Sequence, residues 1–312
     1  MPDLILHHYE LSPFSEKVRR ILAFKGLEWR SVRAPAVMPK PDLVALTGGY
    51  RKIPVLQIGS DVYCDTALIA RVLERIAPEP TLYPTPLAEG LAEWFDRTVF
   101  ETVVPFVARP TRFDEALRLL TPEELSKMGE DRAAMRTDFG KKALGFRTAR
   151  ANLAVYLERL DRALDGRPFV LGDAPCIADF SAYHAVWLLE KIAPEPLAGY
   201  ERLPGWMERI AQIAGPEASP LQPEEALRIC RQTTAQAISD EGFVDPQGLA
   251  RGEPVVVRAG DYGCDPVSGT LVLSLPNEIA LRREDPRAGV VTVHFPRIGY
   301  EIVKGAPGGA NP

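Results

Sequence analysis

Two serines stand at a strand-to-helix turn where a redox protein would carry two cysteines. Ser12 and Ser15 lie in LSPFSEKVRR, which follows the apolar run LILHHY and opens a segment with helical spacing. A dithiol site needs Cys-x-x-Cys, and two hydroxyls cannot form a disulfide. What remains is a hydroxyl that can donate a hydrogen bond to an anion at a helix N-terminus. Ser12 before Pro13 is also a good helix cap, which is the favoured interpretation of the pair taken alone.

Two further short patterns could hold a ligand beside this turn. Pro54 follows Ile53 at the start of a predicted strand. It is either an edge-strand proline or a cis-proline that exposes the backbone N–H and C=O of Ile53 to a peptide-like ligand. Asp65 and Thr66 open a helix. They act either as a cap or as a site where Asp65 receives a ligand ammonium and the helix N-terminus receives a carboxylate.

Strand and helix patterns divide the chain into three parts. Residues 1–78 follow the order β-α-β-α-β-β-α, which predicts an α/β domain with one mixed sheet. The proline-dense stretch at 77–86 predicts a boundary, and residues 86–215 predict an all-helical domain. Short β-type runs within residues 220–305 predict a separate, small, mostly β domain of unknown role, built as an antiparallel barrel or sandwich. A cleft between the first two domains is the usual place for a small-ligand site.

Composition excludes several classes of protein. The 312 residues are 46% apolar and 25% charged, so two or three domains with their own cores can form. The net charge of -5 and a pI near 5.6 argue against a nucleic-acid binder. No signal peptide is recognisable, and no run approaches the ~18 apolar residues of a membrane span, so we expect a cytoplasmic protein without a membrane partner. Four cysteines and four histidines lack ligand spacing, so no metal site is predicted.

The ordered segments SPFSEKVRRILAFKG, KIPVL and CDTALIARVLER, followed by helices, resemble the cytosolic glutathione S-transferases of the serine type. GDAPCIADFSAYHAVWLL is similar to the core helix of that family, and LPGWMERI is similar to its closing helix. The resemblance covers residues 1–215 and implies a thioredoxin-like first domain. LTGGYRKIPVL is similar to a bacterial subgroup that includes glutathione-dependent aryl ether-cleaving enzymes.

The same resemblance implies that glutathione is the co-substrate, and it assigns roles to the patterns above. Ser12 matches the position that activates the thiol. The backbone of Ile53, before Pro54, matches the residue that binds the cysteinyl unit. Asp65 and Thr66 match the acidic and hydroxyl pair that binds the γ-glutamyl end, although Glu-Ser is commoner there.

Candidates for the remaining parts of the ligands are less specific. Lys52 stands where a basic residue can approach the glycyl carboxylate of glutathione, and Lys40 is a weaker candidate. A small hydrophobic electrophile would lie on the long helix after the linker, where Trp94, Phe106 and Arg109 are weak candidates. Packing in the core is the favoured interpretation of the two aromatic side chains.

Two functions of different classes follow from these residues. The first is an enzyme that activates the glutathione thiol for attack on an electrophile. The second is a non-catalytic scaffold or binding protein that uses residues 220–305 for partner interaction. The joint presence of Ser12, Pro54 and the Asp65-Thr66 pair favours the enzyme, because a scaffold does not need them. By resemblance, we also expect a homodimer.

Overall fold

The computed structural model describes residues 2–111, 120–137, 144–234 and 243–305. Ten strands in these ranges are β1 (Ile5–His8), β2 (Arg30–Arg33), β3 (Val55–Ile58), β4 (Asp61–Cys64), β5 (Ser219–Pro220), β6 (Pro254–Ala259), β7 (Val267–Ser274), β8 (Glu278–Asp285), β9 (Gly289–Pro296) and β10 (Tyr300–Lys304). They form one sheet in the order β10-β6-β7-β8-β9-β4-β3-β1-β2-β5.

Helices alternate with strands in the first part of the chain and, in the described part of residues 86–211, follow one another without strands. In the described ranges they are α1 (Pro13–Phe24), α2 (Pro41–Thr47), α3 (Thr66–Ile76), α4 (Pro86–Trp94), α5 (Phe100–Val107), α6 (Pro122–Thr137), α7 (Phe146–Ala163), α8 (Ile177–Ile192), α9 (Leu203–Ala211) and α10 (Pro223–Gln232). A π-helical turn, Phe95–Val99, joins α4 to α5. None of these helices is long and apolar enough to cross a membrane.

The strands β1 to β4 and the helices α1 to α3 confirm the α/β fold that the sequence predicts for the first part of the chain. β2 pairs parallel with β1, β3 pairs antiparallel with β1, and β4 pairs antiparallel with β3, so the sheet is mixed. α1 starts at Pro13, whose fixed φ suits the first helical position. Its apolar residues Val18, Ile21 and Leu22 recur at helical spacing and are fully buried. The turn at Ser12 therefore connects the end of β1 to the start of α1.

The strands after residue 219 correct the predicted barrel or sandwich, because they continue the sheet of the first domain. β9 pairs parallel with β4 through Val62 and Val293, and β5 pairs parallel with β2 at the opposite edge. An edge strand presents unpaired N–H and C=O groups that another strand can use, and β9 uses those of β4. We call residues 219–305 the C-terminal extension. Its boundary as an independently folding unit stays a prediction.

One apolar cluster crosses this junction. Val62 of β4 is fully buried and lies in the same cluster as Leu281 of β8 and Phe295 of β9. The extension therefore shares its core with the first domain. Buried members from the first domain are Leu43, Ala45, Leu46, Tyr50, Val55, Val62 and Cys64, and those from the extension include Leu227, Cys230, Val257, Leu271, Ile279, Leu281, Val291, Val293, Phe295 and Ile302.

A buried histidine adds a polar contact to the same junction. The Nδ1 of His294 lies 2.8 Å from Glu278 Oε1, and its Nε2 lies 3.1 Å from Asp61 Oδ1. Tyr63 stacks on the ring at 4.4 Å between centroids. Burial lowers the pKa of His294, but the two carboxylates outweigh it and raise the pKa above its ordinary value. The strands β4, β8 and β9 are thus joined by a charge-assisted contact as well as by the sheet.

Candidate functional site

Ser12 caps α1 at the end of β1. Its Oγ accepts a hydrogen bond from the backbone N–H of Ser15 at 3.2 Å, and the side chain is buried, at 2% exposure. A hydroxyl that accepts through its oxygen still has a hydrogen to donate. The capping role and the role as a donor to an anion are therefore compatible. Within the described residues, the Oγ of Ser15 is buried without a hydrogen-bond partner.

Ile53 and Pro54 lie directly before β3, next to the end of β1 that leads to Ser12. The peptide bond between them is cis, in agreement with the second of the two interpretations of this proline. β3 begins at the next residue, Val55, which pairs with His7 of β1. Ile53 itself packs against a small apolar cluster that contains Tyr9. The pairing of β1 with β3 is what brings Ile53 beside the turn.

Asp65 caps α3 in an unusual backbone conformation. Its φ is 76°, and it is the one non-glycine residue in the described ranges with a positive φ. One carboxylate oxygen accepts from the backbone N–H of Ala67 at 2.9 Å. The other accepts from the Tyr300 hydroxyl at 3.2 Å. The capping role is therefore present, and a residue of the C-terminal extension contacts the predicted ligand-binding carboxylate.

Thr66 is held by a buried charged network that the sequence did not reveal. Its Oγ1 accepts from Lys17 Nζ at 3.3 Å, and the same ammonium lies 2.6 Å from Asp96 Oδ2. His184 Nε2 lies 3.0 Å from the other oxygen of Asp96. Burial raises the pKa of Asp96, but Lys17 and His184 outweigh it and hold the pKa at about 2. Because Thr66 accepts from Lys17, its own hydroxyl hydrogen is left to donate.

Lys52, a predicted contact of the glycyl carboxylate, is already paired with a carboxylate. Its Nζ lies 2.7 Å from Asp261 Oδ1. The rings of Tyr50, Tyr262 and Tyr300 surround the ammonium at 5.8, 4.8 and 5.7 Å from their centroids. Three of these four partners belong to the C-terminal extension or its loops. The sequence carries no local signal for this arrangement, because Lys52 and Asp261 are 209 positions apart.

Lys40, the weaker candidate, lies deeper in the structure. It is 3% exposed, and its Nζ donates to the backbone oxygen of Arg51 at 2.9 Å. Burial lowers the pKa of Lys40 to about 7, and the guanidinium of Arg132 adds to this effect. A buried amine of this kind changes its charge near neutral pH.

Helix α6 lies across the site. Arg132 donates to the Tyr9 hydroxyl at 3.2 Å and to the backbone oxygen of Ala36 at 3.1 Å. Leu125 and Met128 pack against the cluster that contains Tyr9. The sequence carries no local signal that this helix contacts the first domain, since Tyr9 and Arg132 are 123 positions apart. Residues 112–119 of the predicted helical domain lie outside the described ranges.

The three candidates for the electrophile site lie against α7. Trp94 contacts Tyr156 at 5.1 Å between ring centroids. Phe106 contacts Phe146 at 5.0 Å, and the guanidinium of Arg109 lies 4.5 Å from the same ring. These contacts are internal to the helical part of the chain, as the packing interpretation predicts. For metals, no group of three or more His, Cys, Asp or Glu side chains in the described part is placed to hold an ion.

Comparison with known proteins identifies the family to which this fold belongs. The protein-family model of the glutathione S-transferase N-terminal domain matches residues 6–81. The family model of the glutathione S-transferase C-terminal domain matches residues 110–214. The chain therefore belongs to the glutathione S-transferase (GST) family, as the residue patterns predict. The α/β part is the thioredoxin-like domain of that family, and the helical part is its second domain.

Individual relatives extend this result. A solved structure of a GST-like protein from Pseudomonas syringae is 38% identical, with a TM-score of 0.80, and the match covers 98% of this chain and 100% of that chain. A glutathione S-transferase from Rhodospirillum rubrum shares the fold at 23% identity and a TM-score of 0.51, over 67% of this chain and 88% of that chain. FtsZ-localized protein A from Caulobacter vibrioides is 24% identical over 213 residues, which are 66% of this chain and 85% of that protein.

Proposed function

We propose that this protein is a glutathione transferase that binds glutathione between Ser12 and Asp65 and activates its thiol for attack on a small hydrophobic electrophile. The backbone of Asp65 carries the proposal. A non-glycine residue in the left-handed region costs about 1–3 kcal/mol, and such residues cluster at ligand-binding and active sites. Here that conformation places a carboxylate at the N-terminus of α3, directly after β4, whose last residue, Cys64, pairs with Val55 at the start of β3.

Each part of the tripeptide has a partner of suitable chemistry. The ammonium of the γ-glutamyl end meets the carboxylate of Asp65, and its carboxylate meets the hydroxyl of Thr66 and the N-terminus of α3. The backbone of Ile53 pairs with the cysteinyl unit. The glycyl carboxylate meets Lys52, with Lys40 as the second candidate. Family membership, the cap geometry of α3 and the charges of these residues support this placement.

Ser12 acts on the thiol. A free thiol has a pKa of about 8.5, so little of it is thiolate at neutral pH. The Ser12 hydroxyl at the N-terminus of α1 donates to the thiolate and lowers this pKa, and each unit is worth about 1.4 kcal/mol. The thiolate then attacks the electrophile and displaces the leaving group. The aryl ether class, suggested by the etherase-like lead-in, stays a prediction.

Replacement of Asp65 tests where glutathione binds. Asp65→Ala should weaken binding by about 2 kcal/mol, the scale of a hydrogen bond to a charged group. Asp65→Asn should weaken binding as well while it keeps the cap, because Asn caps helices and tolerates a positive φ. Isothermal calorimetry with glutathione measures the affinity, and thermal unfolding separates it from stability. Unchanged affinity in both variants would show that the γ-glutamyl end lies elsewhere.

A second function is favoured by the contacts of the C-terminal extension. Asp261 already contacts Lys52, and Tyr300 already donates a hydrogen bond to Asp65. These contacts suit a non-catalytic binding protein whose extension binds a partner. One relative, FtsZ-localized protein A, is named for its localisation with FtsZ and not for transfer chemistry. Retention on immobilised glutathione, followed by a screen of aryl halides, epoxides, peroxides and aryl ethers, separates the two. No retention and no turnover would favour the binding protein.

We also propose a homodimer in the cytoplasm, on the basis of the family. In this arrangement the α/β domain of one subunit meets the helical domain of the other. Light scattering at micromolar concentration should give twice the chain mass of 34.4 kDa. A particle of the single-chain mass would contradict the dimer.

A further inference from the structure

We propose that Asp261 is an internal ligand of Lys52 that a carboxylate-bearing ligand displaces, so that the C-terminal extension sets the affinity of this site for carboxylates. The inference rests on the proposed glutathione site and adds a competing residue to it. Asp261 Oδ1 lies 2.7 Å from Lys52 Nζ, which is the distance of a charge-assisted hydrogen bond to a carboxylate. The Asp261 carboxylate thus occupies the position that the glycyl carboxylate of glutathione would take.

The two partners differ in how readily they can separate. The side chain of Lys52 is 11% exposed, whereas that of Asp261 is 44% exposed. A buried ammonium without an anionic partner is costly, so Lys52 needs a carboxylate beside it. Asp261 can instead return to water at small cost. When a ligand carboxylate replaces that of Asp261, the positive charge of Lys52 therefore keeps an anionic partner, and only Asp261 has to move.

The surroundings of Lys52 hold the ammonium in place during such an exchange. Rings of Tyr50, Tyr262 and Tyr300 lie 4.8 to 5.8 Å from Nζ, within the range of cation–π attraction. Ring faces attract a cation but supply no hydrogen-bond acceptor of the strength of a carboxylate. The cage therefore fixes where an incoming carboxylate must bind, and leaves one position for it.

The position of Asp261 in the chain makes the exchange a movement of a loop. Residues 260–266 connect β6 to β7. The contacts that hold this loop include the pair with Lys52 and a hydrogen bond from the N–H of Gly263 to the backbone oxygen of Met135 in α6, at 2.7 Å. The N–H of Gly260 also donates to the backbone oxygen of Gly299 at 2.8 Å. The carboxylate of Asp261 also accepts from the N–H of Tyr262 at 2.8 Å. Loss of the pair with Lys52 removes one of these contacts, next to the helix that covers Tyr9.

A double-mutant cycle tests the proposal with S-methylglutathione, which carries both carboxylates of glutathione but no thiol. Asp261→Asn should tighten binding by about tenfold, equivalent to about 1.4 kcal/mol, because the competitor is gone. Lys52→Met should weaken binding. In the Lys52→Met background, Asp261→Asn should have no effect. Asp265→Asn removes the same charge from the same loop and should leave the affinity unchanged. Calorimetry on the full-length protein measures all five proteins.

Modification of Cys264 gives a second measurement that needs no variant. Cys264 lies in the loop and is partly exposed, whereas Cys64, Cys176 and Cys230 are buried. The rate of its reaction with N-ethylmaleimide should rise severalfold when S-methylglutathione saturates the wild-type protein, because the loop moves. Mass spectrometry assigns the modified residue.

Each outcome decides between the hypotheses. Unchanged or weaker binding by Asp261→Asn overturns the proposal, and so does an equal gain in the Lys52→Met background, since that gain reflects net charge alone. An unchanged rate at Cys264 in a protein that binds S-methylglutathione overturns the displacement. If the wild type and every variant fail to bind, the proposed glutathione site is wrong and the inference falls with it.

Discussion

Deletion of residues 219–312 is expected to leave an insoluble or molten fragment in place of a folded protein. The reason is the shared core: Leu43, Leu46 and Val62 are buried in a cluster that the C-terminal extension completes. Uncovering these three side chains costs about 5–9 kcal/mol at about 1.5–3 kcal/mol each. The whole stability of a typical domain is about 5–15 kcal/mol. The deletion also leaves the edge of β4 unpaired, which favours aggregation.

The measurement is near-ultraviolet circular dichroism and urea unfolding of residues 1–218 beside the full-length chain. We expect the fragment to lose its near-ultraviolet signal and its cooperative transition. A separate C-terminal domain, as the strand patterns predict, would allow the opposite result. A soluble fragment that unfolds cooperatively at the midpoint of the full-length protein would show that the extension is an accessory unit.

Ser12→Ala should lower turnover at pH 7 by about 25-fold. If the hydroxyl lowers the pKa of the bound thiol by about two units, from about 8.5 to about 6.5, its loss lowers the thiolate fraction at pH 7 from about 76% to about 3%. The loss should shrink as the pH rises past about 8.5, where the thiol ionises without help. Glutathione affinity should change little, because Asp65, Thr66 and Ile53 hold the tripeptide.

Thiolate absorbance of the bound complex against pH measures this effect directly. Ser12→Thr keeps both a hydroxyl and a helix cap, so it should retain a low thiol pKa. Ser12→Ala also removes the cap, at a cost of about 1 kcal/mol in stability, which urea unfolding measures separately. Ser15→Ala should matter less than Ser12→Ala. Superimposable titrations of wild type and Ser12→Ala would mean that Ser12 is only a cap and that another group, such as Tyr9, activates the thiol.

Short-range patterns in the sequence determined much of the first domain and the helical part. A strand that ends before Ser12-Pro13 leads into a helix because serine caps and proline suits the first turn. The same reasoning places Asp65 and Thr66 at the start of α3. These signals depend on neighbours within one turn of helix, so they can be recognised without knowing how the rest of the chain folds. The ordered set of segments was enough to indicate the GST family.

Only the tertiary structure showed that the strands of the C-terminal extension continue the sheet of the first domain. The strands of the extension are short β-type runs with Gly, Asp and Pro between them, as the strands of a separate barrel would be, and nothing local marks β9 as the partner of β4. The backbone groups of an exposed edge strand can pair with those of any other strand. Which two strands pair is therefore decided by how their side chains pack in the folded protein and not by residue type alone. The contacts of Asp261 with Lys52, Tyr300 with Asp65, and Arg132 with Tyr9 join residues 209, 235 and 123 positions apart. Such contacts exist only after folding has brought the segments together, and for that reason the sequence located the candidate ligand-binding groups but not the residues of the same chain that contact them.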